Sequence, residues 1–167
     1  QHPQQLAIAD QPNREALVGT APYRLSYEQL HNACQNLAAT LTEQGIGVDD
    51  RVIVQLPNIV ELVVCYLAIS QIGAIISPAP VQYGSHELSN LITSLEAKAY
   101  ISIAQLKGET FGSAQALSLP GDITALLFGD QLTLNLDPPG LQQLEQLSQL
   151  AEHSSDANRI ISICWTS

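Results

Sequence analysis

The sequence predicts an α/β fold with a mostly parallel sheet flanked by helices. Three observations predict it. From Arg51 onward, short β-branched or apolar runs alternate with longer stretches of helical periodicity. Each helical stretch is long enough to be the crossover that parallel strands require, and such crossovers are right-handed in nearly all cases. The chain has 167 residues, 46% of them hydrophobic, enough for one compact domain with its own core.

The elements follow in order. Residues 15–19 (Glu-Ala-Leu-Val-Gly) and 23–25 read as two short strands joined by a Thr-Ala-Pro turn, a candidate hairpin. Ser26 stands three residues before Gln29, a capping-box spacing that opens a helix. Leu30, Ala33, Leu37, Ala38 and Leu41 then recur at intervals of three and four, and Gly45 and Gly47 end the helix. Residues 51–56 (Arg-Val-Ile-Val-Gln-Leu) are a central-strand pattern, broken by Pro57, with Asn58 as the cap of the next helix. Residues 59–72 are apolar on nearly all sides, which predicts a heavily buried helix stopped by Gly73. A strand at 74–77 ends at Pro78 and Pro80. Ser85 caps a helix over 86–97 with Leu88, Leu91, Ile92 and Leu95 inward, and 99–103 is the next strand.

Beyond that point the pattern blurs. Residues 105–115 read as a short helix and 123–128 as a strand. Leu132, Leu134 and Leu136 alternate like an edge strand or hairpin arm. Pro138-Pro139-Gly140 breaks the chain before an amphipathic helix marked by Leu141, Leu144, Leu147 and Leu150. After a polar loop at 154–158, residues 159–165 (Arg-Ile-Ile-Ser-Ile-Cys-Trp) read as a short buried strand. It feeds Thr166-Ser167, the start of a small-residue loop of the kind that presents backbone N–H groups to phosphate.

Charge and composition narrow the functions. Six Lys+Arg against sixteen Asp+Glu give a net charge of −10, a surface that phosphate backbones repel, so no nucleic-acid partner is expected. The acidic residues are scattered like a solvated surface. Cys34, Cys65 and Cys164 lie in apolar patterns without close spacing and read as buried free thiols of a reducing, cytoplasmic compartment. The four histidines stand apart from one another and from cysteine, so no metal site is expected. The apolar run 59–81 contains Glu61, Gln71, Gly73 and two prolines, and a buried helix followed by a buried strand explains it better than a membrane span. The chain contains no Met and opens Gln-His-Pro, so it is expected to begin downstream of the translated start; its first twenty residues do not resemble a signal peptide.

Four stretches, in order, resemble the adenylate-forming superfamily of acyl-CoA synthetases, aryl acid ligases, nonribosomal adenylation domains and luciferases. Leu25-Ser26-Tyr27-Glu28-Gln29-Leu30 resembles its early Leu-Ser/Thr-Tyr-x-Glu-Leu motif, with Gln29 where the acid usually stands. Gly45-Ile46-Gly47-Val48-Asp49-Asp50-Arg51-Val52, followed by Leu56-Pro57-Asn58 and Glu61-Leu62, is similar to the Gly-x-Gly-Asp-Arg-Val…Leu-Pro-Asn…Glu segment. Gly73-Ala74-Ile75-Ile76-Ser77-Pro78 is similar to the Lys-Ala-Gly-Ala-x-x-x-Pro segment, with Gln71 in the lysine position. Glu87-Leu88 and Glu96-Ala97-Lys98 continue the match. Trp165-Thr166-Ser167 resembles the Tyr-Thr-Ser opening of the family's phosphate loop.

The resemblance implies an N-terminal α/β subdomain, residues 1–167, whose partner is the remainder of the same polypeptide. It implies a parent ligase that activates a carboxylic acid with ATP and Mg2+, forms an acyl-adenylate and pyrophosphate, and often passes the acyl group to a thiol, coenzyme A or a carrier protein. Only Thr166 and Ser167 carry over as site residues, at the start of the phosphate contacts, and this portion is expected to be inactive alone. The residues themselves are otherwise architectural: Ser26 is a cap, Gly73 a helix stop, and Asp50 and Arg51 a pair at a strand entry. Tyr66, Tyr83 and Trp165 read as packing. The alternative is a free-standing flavodoxin-like module that binds a nucleotide or a protein without catalysis, or a scaffold remnant without ligand. A self-contained module predicts no large exposed apolar face; a subdomain parted from its partner predicts one.

Overall fold

The computed structural model describes residues 2–154 and 158–164. Its elements in chain order are β1 (Leu6–Ala9), α1 (Arg14–Val18), β2 (Arg24–Ser26), α2 (Tyr27–Glu43), β3 (Arg51–Val54), α3 (Val60–Gln71) and β4 (Ile75–Pro78). There follow α4 (Ser85–Leu95), β5 (Ala99–Ile103), β6 (Gln105–Leu106), β7 (Glu109–Thr110), α5 (Gly112–Ala116), β8 (Thr124–Phe128) and α6 (Leu141–Ser154). Four strands pair in the order β4-β3-β5-β8, all parallel, as the alternation from Arg51 onward predicts.

Strand alternation divides the core in two. Val52, Val54, Ile101 and Ile103 face α2 and α3, where Leu37, Ala38 and Leu41 meet Val64, Ala68 and Ile69. Ile53, Tyr100 and Leu127 face the other way and meet Leu88, Leu91 and Ile92 of α4. Each large aliphatic side chain buried this way contributes roughly 1.5–3 kcal/mol. The capping box forms: Ser26 Oγ accepts the Gln29 N–H at 3.2 Å, and Gln29 Oε1 accepts the Ser26 N–H at 3.0 Å. Gly73 has φ +81°, and a Cβ there would sit 3.0 Å from Val48 Cγ2, so the helix stop requires glycine. Gly112 lets α5 close on β5, since a Cβ would meet the Ile103 carbonyl oxygen at 2.5 Å.

Several expectations are corrected. Residues 15–19 are not a strand: they belong to α1, closed by Gly19 in the left-handed region at φ 74°. The partner of β2 is instead β1, antiparallel. Asn58 does not cap α3. The cap comes from Asp10, fifty residues away, whose Oδ1 accepts the Val60 N–H at 2.8 Å. Ser85 is the first helical residue rather than the cap; Gly84 precedes it, and the Glu87 carboxylate accepts the Gly84 N–H at 3.0 Å. Residues 105–115 are not one helix. Lys107 and Gly108, both at positive φ, turn β6 back into β7 before the short α5.

Residues 132–136 do not form a strand beyond a bridge between Leu132 and Phe128. The carbonyls of 135–137 are taken by side chains instead: Asn32 Nδ2 donates to Leu136 O, and Asn36 Nδ2 to Asn135 O and Asp137 O. On α6, Leu147 is buried, whereas Leu141 and Leu144 are exposed. Asp50 and Arg51 do not pair with each other. Asp50 pairs with Lys98 at 3.0 Å and Arg51 with Glu96 at 3.3 Å, because the strand entry faces the turn before β5. All three cysteines are free, but only Cys34 and Cys65 are buried; Cys164 is exposed. The described part of 159–165 is not a buried strand. It makes one parallel bridge to β4, and Ile160 and Ile161 are more than half exposed because nothing among the described residues covers that edge. No helix among the described residues is long and apolar enough to cross a membrane.

Candidate functional site

Parallel strands deliver their carboxyl ends to one edge, and in open α/β sheets ligands bind along that edge. The order β4-β3-β5-β8 reverses direction between β3 and β5. Beside β4 the segment 161–163 runs parallel: Ile76 N–H donates to Ile161 O at 3.1 Å, and Ile163 N–H to Ile76 O at 2.9 Å. Arg159 anchors it, donating through Nη2 to Ser70 O at 2.7 Å and Ser70 Oγ at 3.1 Å. That places a cation at the C-terminal end of α3, where the helix dipole favours it. The segment therefore heads toward the carboxyl edge. Trp165, Thr166 and Ser167 lie outside the described residues.

Two buried polar clusters stand near this edge, and neither was expected from the sequence. The first is ionic. Arg14 Nη1 donates to Asp10 Oδ2 at 2.9 Å and to Glu61 Oε2 at 2.7 Å, and Nη2 donates to Glu61 Oε1. All three side chains are at most 5% exposed. The guanidinium also lies over the Tyr23 ring, 4.5 Å from its centroid. Burial works against its charge, but the hydrogen bonds and charge of Glu61, with Asp10, outweigh that and lift its pKa above the ordinary value. Two carboxylates face one guanidinium, and the N-terminus of α3 supplies the remaining positive potential. Asp10 caps that helix and Glu61 lies in its first turn. Arg14 and Glu61 line a cleft of about 390 Å3 that reaches Ile103, Ala104, Phe128 and Gly129 at the ends of β5 and β8.

The second cluster is neutral. Gln55, directly after β3, is wholly buried. Its Nε2 donates to Pro80 O and Tyr83 O, both at 2.9 Å, and its Oε1 accepts the Tyr100 hydroxyl at 2.7 Å. Ser102 Oγ donates to the Gln55 carbonyl at 2.8 Å. Burial pushes the Tyr100 pKa up to about 12. A signal for both clusters is present in the sequence: Glu61 and Gln55 are polar residues inside apolar runs, and a buried polar group demands a partner.

Among the described residues, no group of three or more His, Cys, Asp or Glu side chains could hold a metal ion. The described residues therefore offer no ligand set for Mg2+.

The sheet order and the loops gathered at its carboxyl edge define a doubly wound α/β fold. Residues 5–167 match the model of the AMP-binding enzyme family, and the chain belongs to that family. It is 33% identical over 107 residues to pyochelin synthase PchD of Pseudomonas aeruginosa, which covers 64% of this chain and 18% of that protein. It is 39% identical over 80 residues to the 2-hydroxy-7-methoxy-5-methyl-1-naphthoate–CoA ligase of Streptomyces carzinostaticus, covering 48% of this chain and 14% of the ligase. The structure of apo MatB from Rhodopseudomonas palustris shares the fold, with a TM-score of 0.64 and 24% identity over 99% of this chain and 30% of that one. The chain thus spans less than a third of the length of each of these three relatives.

Proposed function

We propose that this chain is the N-terminal α/β subdomain of an ATP-dependent ligase that activates a carboxylic acid. The parent would form an acyl-adenylate and pyrophosphate, then a thioester with coenzyme A. The family match across residues 5–167 carries the reading. Thr166 and Ser167 begin the phosphate contacts, with ATP and Mg2+ held mainly by the rest of the polypeptide. The parallel course of 161–163 beside β4 supports this, because it aims the chain at the carboxyl edge. Exposed Leu67, Ile160 and Ile161 support a further part of the protein packing against this side. The free thiols fit a cytoplasmic location.

What these residues contribute is a rigid frame. Acid activation brings a carboxylate against a triphosphate, so the donors that neutralise them must be held still before they arrive. Acid-dependent ATP–pyrophosphate exchange tests the reading. The full-length gene product should exchange with at least one acid of a panel, and residues 1–167 alone should not. Exchange by residues 1–167 alone, or its absence from the full-length protein with every acid, overturns it.

A further inference from the structure

We propose that the cleft of about 390 Å3 at the ends of β5 and β8 binds an uncharged aromatic molecule of one or two rings that carries an amide or hydroxyl group. The inference goes beyond the reading given under Proposed function and does not depend on it. Strand β5 adjoins the point where the sheet order reverses, the place at which open α/β sheets hold ligands. The size is right as well, since small-molecule sites run from about 300 to 1,000 Å3.

The lining selects the chemistry. Val18, Tyr23, Ile103, Phe128, Leu132 and Leu134 form the walls, and two of them offer aromatic rings for offset or edge-on contact. Thr20, Gln105 and Thr133 add a few polar groups. Thr20 Oγ1 accepts the Arg14 Nε–H at 3.1 Å, which leaves its own hydrogen free to donate. Charge argues against an ionic ligand. Arg14 is the only cation among the described residues that line the cleft, and both of its terminal nitrogens already donate to Asp10 or Glu61. A phosphate or carboxylate would therefore enter without a counterion. A cation gains little, because the positive end of α3 offsets the surplus carboxylate.

The walls are fixed before any ligand arrives. Lys107 N–H donates to Leu17 O at 2.6 Å and ties the β6–β7 turn to α1. Gly129 N–H donates to Leu132 O at 3.1 Å and Leu132 N–H to Leu127 O at 2.9 Å, which closes the 129–132 turn. Asn32 and Asn36 hold 135–137 from behind. These ties keep the cleft from collapsing, so a ring enters at little cost in ordering.

NMR of the full-length protein with labelled Ile, Leu and Val methyls tests the proposal, with benzamide as the probe. The methyls of Val18, Ile103, Leu132 and Leu134 should shift and saturate with a Kd of about 1 mM or below. Those of Leu88 and Ile92, packed on the other face of the sheet, should stay in place. Benzoate and benzamidine share the shape but carry opposite charges, and each should bind in the cleft at least about tenfold more weakly. Thr133→Trp sets a ring at the exposed rim and should weaken benzamide at least about tenfold. Cleft methyls that do not saturate by about 20 mM benzamide overturn the proposal. So does equal binding of either charged probe at those methyls, or wild-type affinity in a folded Thr133→Trp protein. The probe comparison is made on the wild type, so it decides the matter even if Thr133→Trp fails to fold.

Discussion

The ionic cluster of Asp10, Arg14 and Glu61 and the neutral cluster of Gln55, Tyr100 and Ser102 lie at the same end of one sheet, and they stabilise it by different physics. The first joins the N-terminal segment to α3, with charges that have left water and depend on each other. The second joins three strand ends through hydrogen bonds that carry no net charge. Losing one member of the first strands a charge; losing one member of the second strands a dipole. The difference predicts large, lopsided effects in one place and modest, even ones in the other.

The largest effect is expected at Arg14. Arg14→Met should lower stability by about 3–5 kcal/mol, because Glu61 and Asp10 remain buried without their cation. Urea denaturation measures this, and the double variant Arg14→Met, Glu61→Met should recover a substantial part. A double variant no more stable than the single would break the contrast, since the loss would then come from packing.

Alkaline titration gives the next effect. Burial holds the Cys34 and Tyr100 side chains neutral in the folded chain, with pKa values raised from 9.0 and 10.0 to about 12 in each case, and it raises Cys65 as well. The unfolded chain loses these protons first, so stability is complete below pH 9.0 and falls above it. Each such group contributes a slope of about 1.4 kcal/mol per pH unit between its unfolded and folded pKa. Thermal unfolding across this range should show the thiol phase first, and Tyr100→Phe should shrink the later phase that begins near 10.0, to which Tyr66, also raised by burial, contributes as well.

A smaller effect sharpens the neutral side. Tyr100→Phe at neutral pH should cost about 1 kcal/mol, equally at low and high salt. A loss that shrinks in salt would mean that the neutral cluster feels charge after all. The smallest effect belongs to a cap outside both clusters. Ser26→Ala should cost about 1 kcal/mol or slightly less, seen as faster amide exchange confined to the first turn of α2.

The parallel sheet was legible because its signals are local. A β-branched run followed by a 3.6-residue period needs no knowledge of distant residues, which is why β3, α3, β4, α4 and β5 fall where their periods place them. The Ser26 box is legible for the same reason. What was illegible is what distant residues decide. Residues 15–18 have a strand-like composition, but Arg14 fixes them as a helical turn by binding Glu61, 47 residues on. Asn58 has the right chemistry for a cap, yet Asp10 reaches the same helix from outside. The leucines at 132, 134 and 136 alternate like a strand, but two asparagines of α2 take the carbonyls of 135–137. Thr166 and Ser167 rest on a motif and lie outside the described residues, whereas the partners of Gln55 and Arg14 are visible only in the folded geometry.

Asp10 is bound to three separate stretches at once, through the Arg14 guanidinium, the Tyr23 amide and the Val60 amide. The amino end is therefore a rivet and not a dispensable tail. Cutting it away would loosen a helix whose first residue lies half a hundred positions downstream. Fraying of the leading strand and opening of α3 become a single event, and one exchange rate, read at Val60, reports both.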